Sequence, residues 1–135
     1  MKIFLTIAAL FILVDVLFVG YVIYRRFRKK VSEAKILEIQ SSWKEIIREK
    51  DMSHAILEAD KLLDHALQLM GYRGNLGSKL KRAHRLFGKN INRVWAAHKV
   101  RNNIAHQMNY KVDEHTYRSS MLAFKEAFRD LKIFN

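Results

Sequence analysis

The residues best equipped for chemistry lie together, from Ile91 to His106: Ile-Asn-Arg-Val-Trp-Ala-Ala-His-Lys-Val-Arg-Asn-Asn-Ile-Ala-His. Two imidazoles, His98 and His106, can move protons near neutral pH. One guanidinium, Arg101, can hold a phosphate in a fork and stabilise charge as it builds. Asn102 follows Arg101 directly and stands one helical turn before His106. At about 100° per residue, Ile91, Trp95, His98, Asn102 and His106 drift along one stripe, while Ala96, Val100 and Ile104 make a second apolar face. Such a helix is expected to be largely buried. It would carry His98, Asn102 and His106 towards an interior or an interface, where each polar group needs a partner or a cleft.

Other chemistries find less support. His98 and His106 are eight residues apart, too far for a one-helix metal pair, and no H-E-x-x-H is present. The chain has no cysteine, which excludes a thiol nucleophile, a disulfide scaffold and Cys-ligated zinc or iron–sulfur sites. No G-x-S-x-G elbow exists for a serine hydrolase. Neither a metal nor a cofactor is expected.

The elements around this segment read as helices. Proline is absent, no stretch sustains period-2 alternation, and helical periodicity recurs. Val31 to Lys50 carries Ile36, Ile39, Trp43, Ile46 and Ile47 on one side. Asp51 and Ser53 offer caps for a helix striped by Ile56, Ala59, Leu63, Leu67 and Met70, which Gly71 ends. The loop Gly71-Tyr72-Arg73-Gly74-Asn75-Leu76-Gly77 lacks Walker spacing and a preceding strand, so its glycines read as turn residues. Ser78 can cap a short helix ending near Gly88, Asn90 can open the helix from Ile91 to His106, and Asp113 can cap a last one. In that last helix Tyr117, Met121, Phe124, Phe128 and Leu131 form a core stripe. The expected fold is all-α, a small up-and-down bundle of about five helices over residues 31–135.

Residues 1–24 are different. From Ile3 to Tyr24 an apolar run is broken only by Thr6, Asp15 and Gly20. As a helix it would extend roughly 33 Å, against a hydrocarbon core of about 30 Å. Its Ile, Leu, Phe and Val residues outweigh the cost of about 3 kcal/mol for Asp15 on an insertion scale. The run ends in Tyr21 and Tyr24, then Arg25, Arg26, Arg28, Lys29 and Lys30, whereas a cleaved signal peptide would be shorter with a small-residue cleavage site. Residues 1–24 are therefore expected to be a transmembrane helix and residues 25–30 a basic stop-transfer segment. By the positive-inside rule the amino terminus would lie outside, with residues 31–135 in the cytoplasm of a single-pass inner-membrane protein. Asp15 reads either as a tolerated polar residue, protonated or reached by water, or as a helix–helix contact in an oligomer, with a slight lean to the second.

Charge is segregated along the chain. The net charge is +12. Val31 to Asp64 holds 5 basic and 8 acidic residues, and residues 113–135 hold 4 of each. Between Asp64 and Asp113 stand 10 basic residues and no carboxylate: Arg73, Lys79, Lys81, Arg82, Arg85, Lys89, Arg93, Lys99, Arg101 and Lys111. That bias exceeds what solubility requires and suits phosphate, in RNA or in lipid head groups. Lys79, Lys81, Arg82, Arg85 and Lys99 are the candidate phosphate contacts. Ser78 at a helix start, beside Lys79, Lys81 and Arg82, offers a place for a single phosphate.

The segment Arg101-Asn102-Asn103-Ile104-Ala105-His106 resembles the R-x4-H motif of HEPN domains, helical bundles with this motif late in the domain and one helix after it. Glu58-Ala59-Asp60-Lys61-Leu62-Leu63-Asp64, the glycine-containing loop and Ala97-His98-Lys99-Val100-Arg101-Asn102 are similar to a HEPN-like family of small membrane-anchored bacterial proteins. The resemblance covers roughly residues 51–133. It implies a homodimer and metal-independent RNA cleavage where two protomers bring their motifs together. The RNA 2′-hydroxyl would attack the adjacent phosphorus, so DNA would not react. His106 would move protons, Arg101 would hold the phosphate, Asn102 would orient phosphate or His106, and His98 would support them. A further polar residue from an earlier helix is often present, for which Glu58, Asp60 and Asp64 are equal candidates. The expectation is a membrane-anchored, HEPN-like endoribonuclease, with a non-catalytic RNA- or protein-binding module as the alternative.

Overall fold

The computed structural model of the chain describes residues 1–26 and 31–135. Among them the order is α1 (Lys2–Arg26), α2 (Glu33–Ile46), α3 (Met52–Leu69), α4 (Leu76–Phe87), a 3₁₀ turn (Gly88–Asn90), α5 (Ile91–His106) and α6 (Glu114–Asp130), with no strand. Residues 1–30 and 31–135 are two compact units. In the second, α2 to α6 form a helical bundle, as the periodicity predicts.

In α1 the residues from Leu10 to Leu13, with Val14, Val16, Leu17, Phe18 and Val19, are each more than half exposed. Consecutive positions cover every side of the cylinder, so α1 is apolar all round rather than amphipathic. The expected membrane-crossing helix is nevertheless not met: among the described residues no helix is long and apolar enough to cross a membrane. Within α1 the apolar run is interrupted by Thr6, Asp15 and Gly20, with Asp15 exposed among its neighbours. Of the basic segment expected at 25–30, residues 27–30 lie outside the described residues.

Local chemistry sets the ends of the bundle helices. Ser32 caps α2. Asp51 caps α3, its Oδ1 accepting from the N–H groups of Ser53 at 2.8 Å and His54 at 3.1 Å. At the far end of α3, Gly71 with φ of 92° lets Tyr72 N–H reach Leu67 O and Gly71 N–H reach Gln68 O, a Schellman closure. Two expected caps are corrected. Asn75, not Ser78, caps α4, and the Ser78 N–H is the donor to Asn75 Oδ1 at 2.8 Å. Asn90 makes no side-chain cap for α5, because the 3₁₀ turn precedes it. The Asn90 amide reaches Ala123 O and Asp130 Oδ2 instead, tying the turn to α6. The first bundle helix ends at Ile46 rather than near Lys50.

The core is one cluster. Helix α3 is its axis, with Ala55, Ile56, Ala59, Leu63, Ala66 and Leu67 fully enclosed, and it packs against α2, α4, α5 and α6. Trp43 of α2 meets Phe128 of α6 edge-on at 5.5 Å, and Phe134 after α6 closes on both. Helix α5 is less buried than its sequence implies. Only Val94 and Ala97 are fully covered, Val100 and Ile104 are half-buried, and Ala96 is exposed. One edge of α5 therefore remains open to solvent.

Two stability predictions follow from the helix ends. After α6 a second Schellman closure places Lys132 at φ of 61°, with Ile133 N–H on Phe128 O and Lys132 N–H on Arg129 O. That conformation costs an L-residue about 1–2 kcal/mol, partly offset by the extra chain entropy glycine loses. Lys132→Gly should stabilise residues 31–135 by about 0.5–1 kcal/mol, a rise of roughly 4 °C in Tm by thermal melting. At the start of α6, Asp113 Oδ1 accepts the Thr116 N–H at 2.7 Å, and this bond, with the Thr116 hydroxyl, holds the carboxyl below its usual range. A lowered carboxyl stabilises the fold above its unfolded pKa of about 3.9, and the contribution disappears as pH falls through the folded value. Asp113→Asn keeps an acceptor without a titration, so its Tm should fall less steeply below pH 4 than that of the parent.

Candidate functional site

Four side chains from two helices close into a ring. Asp60 lies on α3, at the position after Ala59 and three before Leu63, so the helical period places its carboxylate on the apolar face. It is 4% exposed. A carboxylate so buried must be paired and hydrogen-bonded. His98 Nδ1 of α5 lies 2.7 Å from Asp60 Oδ1, and Arg101 Nε lies 3.3 Å from Oδ2. Arg101 Nη1 donates to Asn102 Oδ1 at 3.2 Å, and Asn102 Nδ2 faces His98 Nε2 at 3.4 Å.

One proton arrangement satisfies this ring. With its proton on Nδ1, His98 donates to Asp60, and its Nε2 lone pair accepts from the Asn102 amide. The Asn102 oxygen is then left for Arg101. Asp60 thus fixes the tautomer of His98 as an orienting carboxylate does in an acid–base pair. The Arg101 Nε–H is not aligned on the carboxylate and makes no hydrogen bond, so that contact is an ion pair. Arg101 has five N–H donors. With one on Asn102 and Nε facing Asp60, the remaining guanidinium N–H groups are available to a ligand.

The ring opens into a cleft of about 460 Å³ lined by Asp60, Lys61, Asp64, Asn75, Leu76, Gly77, His98, Arg101 and Asn102. Its size suits a small ligand or one segment of a larger one. A second ion pair supports the same wall. The Lys79 ammonium on α4 sits 2.9 Å from Asp64 Oδ1 and donates to Asp64 O at 3.1 Å. Lys79 is 2% exposed. Its expected place among the phosphate contacts is therefore corrected: its charge is enclosed and committed to Asp64.

The structure brings His98, Arg101 and Asn102 together, and His106 is elsewhere. His106 is exposed at the carboxyl end of α5 and does not line the cleft. Lys81, Arg85 and Lys99 are exposed, and among the described residues none has a carboxylate partner. Arg82 is exposed but engaged, its Nη2 on the Arg73 carbonyl and its Nε on Ser78 O at 3.3 Å. The phosphate site imagined at Ser78 is not formed, since the Ser78 N–H is taken by Asn75 and Lys79 is buried. Of the three acidic candidates, Glu58 pairs with Lys61 at 2.6 Å, Asp64 with Lys79, and Asp60 with the R-x4-H helix. The signal for Asp60 was a charged residue inside the stripe Ile56, Ala59, Leu63. Among the described residues no group of carboxylates and imidazoles has the arrangement of a metal site.

The two ion pairs should respond differently to deletion. Asp60→Ala strands Arg101 and His98 against α3 and should cost residues 31–135 about 3 kcal/mol in urea unfolding. Lys79→Met keeps the stem volume but leaves the covered Asp64 Oδ1 without its cation, while the rest of that side chain, 34% exposed, can hydrate, so its cost should be about 1–2 kcal/mol, below that of Asp60→Ala. Comparisons of the chain with protein-family models, with curated proteins and with solved structures returned no match in any of the three.

Proposed function

We propose that this chain is a membrane-tethered, HEPN-like helical domain that binds RNA through its phosphates on the face built by α4 and α5. The carrying observation is the state of the basic residues between Asp64 and Asp113. Arg73, Lys81, Arg85, Lys89, Arg93, Lys99 and Lys111 are exposed and have no carboxylate partner among the described residues. The two nearby carboxylates, Asp60 and Asp64, are already neutralised by Arg101 and Lys79. Phosphate binding by such a face releases counterions and is strongly salt-dependent. Arg101, with guanidinium N–H groups left over at the cleft, is the residue best placed to fork onto one phosphate.

Tethering is supported by the sequence from Ile3 to Tyr24 and by an α1 that is apolar on every side. The five basic residues after that run, against Lys2 before it, support an inner-membrane protein with its amino terminus outside and residues 31–135 in the cytoplasm.

A second reading, metal-independent cleavage, is favoured by the Asp60–His98 pair. With Nδ1–H held by Asp60, His98 Nε2 is the basic atom at the cleft. It would take the 2′-hydroxyl proton as the 2′-oxygen bonds to phosphorus and the P–O5′ bond breaks, the leaving 5′-oxygen taking its proton from water, with Arg101 stabilising the charge on the phosphoryl oxygens. His106, exposed at the end of α5, would be available to a second copy of the chain, as the HEPN resemblance implies.

One experiment serves both readings. The full chain in detergent, in excess chelator, is titrated with labelled single-stranded RNA at several salt concentrations. Binding should weaken linearly in log salt, and Arg101→Ala or Lys99→Ala should each lower the slope by about 0.7. Absence of binding at low salt defeats the proposal. Cleavage giving 2′,3′-cyclic ends, lost in Arg101→Ala and His98→Ala, establishes the second reading. Cleavage lost in His106→Ala but kept in His98→Ala moves the base to His106. Intact RNA on the bound protein leaves binding as the function.

A further inference from the structure

The open edge of α5 carries a second, shallow cleft of about 490 Å³, lined from that one helix by Asn92, Trp95, Ala96, His98, Lys99 and Asn102 and open on its outer side. It shares His98 and Asn102 with the first cleft, so the two meet across the polar ring. Its lining has no carboxylate. It offers one aromatic plane, two amides, one imidazole and one exposed, unpaired ammonium.

Trp95 is unlike the other tryptophan of the chain. Trp43 is 8% exposed and locked among Phe128 and Phe134 in the core. Trp95 is half-buried and lines this shallow cleft. Its position is fixed from two sides. The edge of its six-membered ring, at Cη2 and Cζ3, lies against Gly77, and its plane stands nearly edge-on to the His98 ring at 6.0 Å. A tryptophan held in this way presents a preorganised surface, which lowers the ordering cost of binding.

We propose that this second cleft receives one unpaired nucleobase of a single-stranded RNA, stacked on Trp95, with Lys99 on an adjoining phosphate and the Asn92 and Asn102 amides at the base edge. This rests on the RNA-binding reading above and adds to it a substrate class, unpaired rather than duplex RNA. A duplex keeps the faces of its bases covered by their neighbours, whereas a base from a loop or a free strand can be laid on an aromatic ring. Trp95 and Asn102 are seven residues apart on α5, about 10 Å along one face. One strand can therefore pass its base into the second cleft and its next phosphate towards Arg101 in the first. Amides both donate and accept, so the cleft would read base edges without demanding a single base.

The test uses the full chain in detergent with a short single-stranded RNA, the same sequence as a duplex, and tryptophan emission as the readout. Trp43→Phe isolates the Trp95 signal. Single-stranded RNA should quench that emission and the duplex should not. Trp95→Leu should weaken single-strand affinity roughly ten-fold to a hundred-fold, as expected for one lost stacking contact, without changing the salt slope. Lys99→Ala should lower the slope and leave the quenching at saturation. Trp95→Phe, which keeps an aromatic face, should retain part of the affinity and guards against a folding defect in the leucine variant. If RNA binds but emission from Trp95 does not respond, or Trp95→Phe and Trp95→Leu bind as the parent does, the inference falls and the phosphate-binding reading stands. Equal affinity for single strand and duplex also overturns it. If no RNA binds at low salt, both fall together.

Discussion

Everything near the cleft depends on one buried carboxylate. Asp60 sits at 4% exposure in the middle of the apolar face of α3, where an unpaired charge would be untenable. It recruits His98 at 2.7 Å and Arg101 at 3.3 Å from α5, and through them sets the Asn102 amide. The register of α5 against α3 is thereby fixed by polar groups as well as by Val94 and Ala97. Buried ion pairs often contribute little net stability compared with an apolar replacement, because desolvation offsets attraction. What this one provides is geometry: an oriented imidazole, a tethered guanidinium and an amide with only one satisfying direction.

The same pairing explains how unpaired cations come to stand near two acidic residues. Asp64, one turn after Asp60, is matched by Lys79, whose ammonium is enclosed between α3 and α4. Each carboxylate on this side of α3 thus consumes one cation of the long basic segment. The cations left over stand outside, exposed and without acidic partners among the described residues, where their fields add. Burial sorts the basic residues into two kinds. Lys79 organises the wall, Arg101 bridges wall and cleft, and Lys81, Arg85 and Lys99 belong to the surface.

Most of the bundle was legible in the sequence, because amphipathic periodicity is a strong local signal. Ile56, Ala59, Leu63 and Leu67 mark the buried face of α3, and Asp51, Gly71 and Asp113 mark helix ends by their own backbone chemistry. The errors fall where a residue's partner is distant in the chain. Ser78 and Asn75 are both good caps, and only the loop geometry after Gly74 selects Asn75. Asn90 looks like a cap until its amide is seen to serve Ala123 and Asp130. Lys79 reads as a surface cation because nothing nearby in sequence shows that Asp64 faces it. At the site, Arg101 and Asn102 were legible, and His98 was assigned only a supporting role. Asp60 was visible as a charge in an apolar stripe, but its partners are 38 and 41 positions away. The placement of His106 outside the cleft combines two offsets: it lies a full turn beyond Asn102 at the exposed end of α5, and about 140° around the helix from Arg101.

That angular offset bears on what α5 can do as one rigid rod. Trp95, His98 and Asn102 follow one line along the helix, and Arg101 stands about 60° from His98, close enough for Asp60 to hold both. A single turn of helix therefore faces two clefts at once, one containing the ion pairs and one containing the tryptophan. His98 and Asn102 form the ridge between them. A ligand that bridges the clefts must cross this ridge, where it meets polar atoms of the ring. The Asn102 Nδ2 to His98 Nε2 contact, at 3.4 Å, is the longest hydrogen bond of the ring and the one that involves neither Asp60 nor Arg101. It is the weakest link of the ring, and breaking it would expose His98 Nε2 to the cleft.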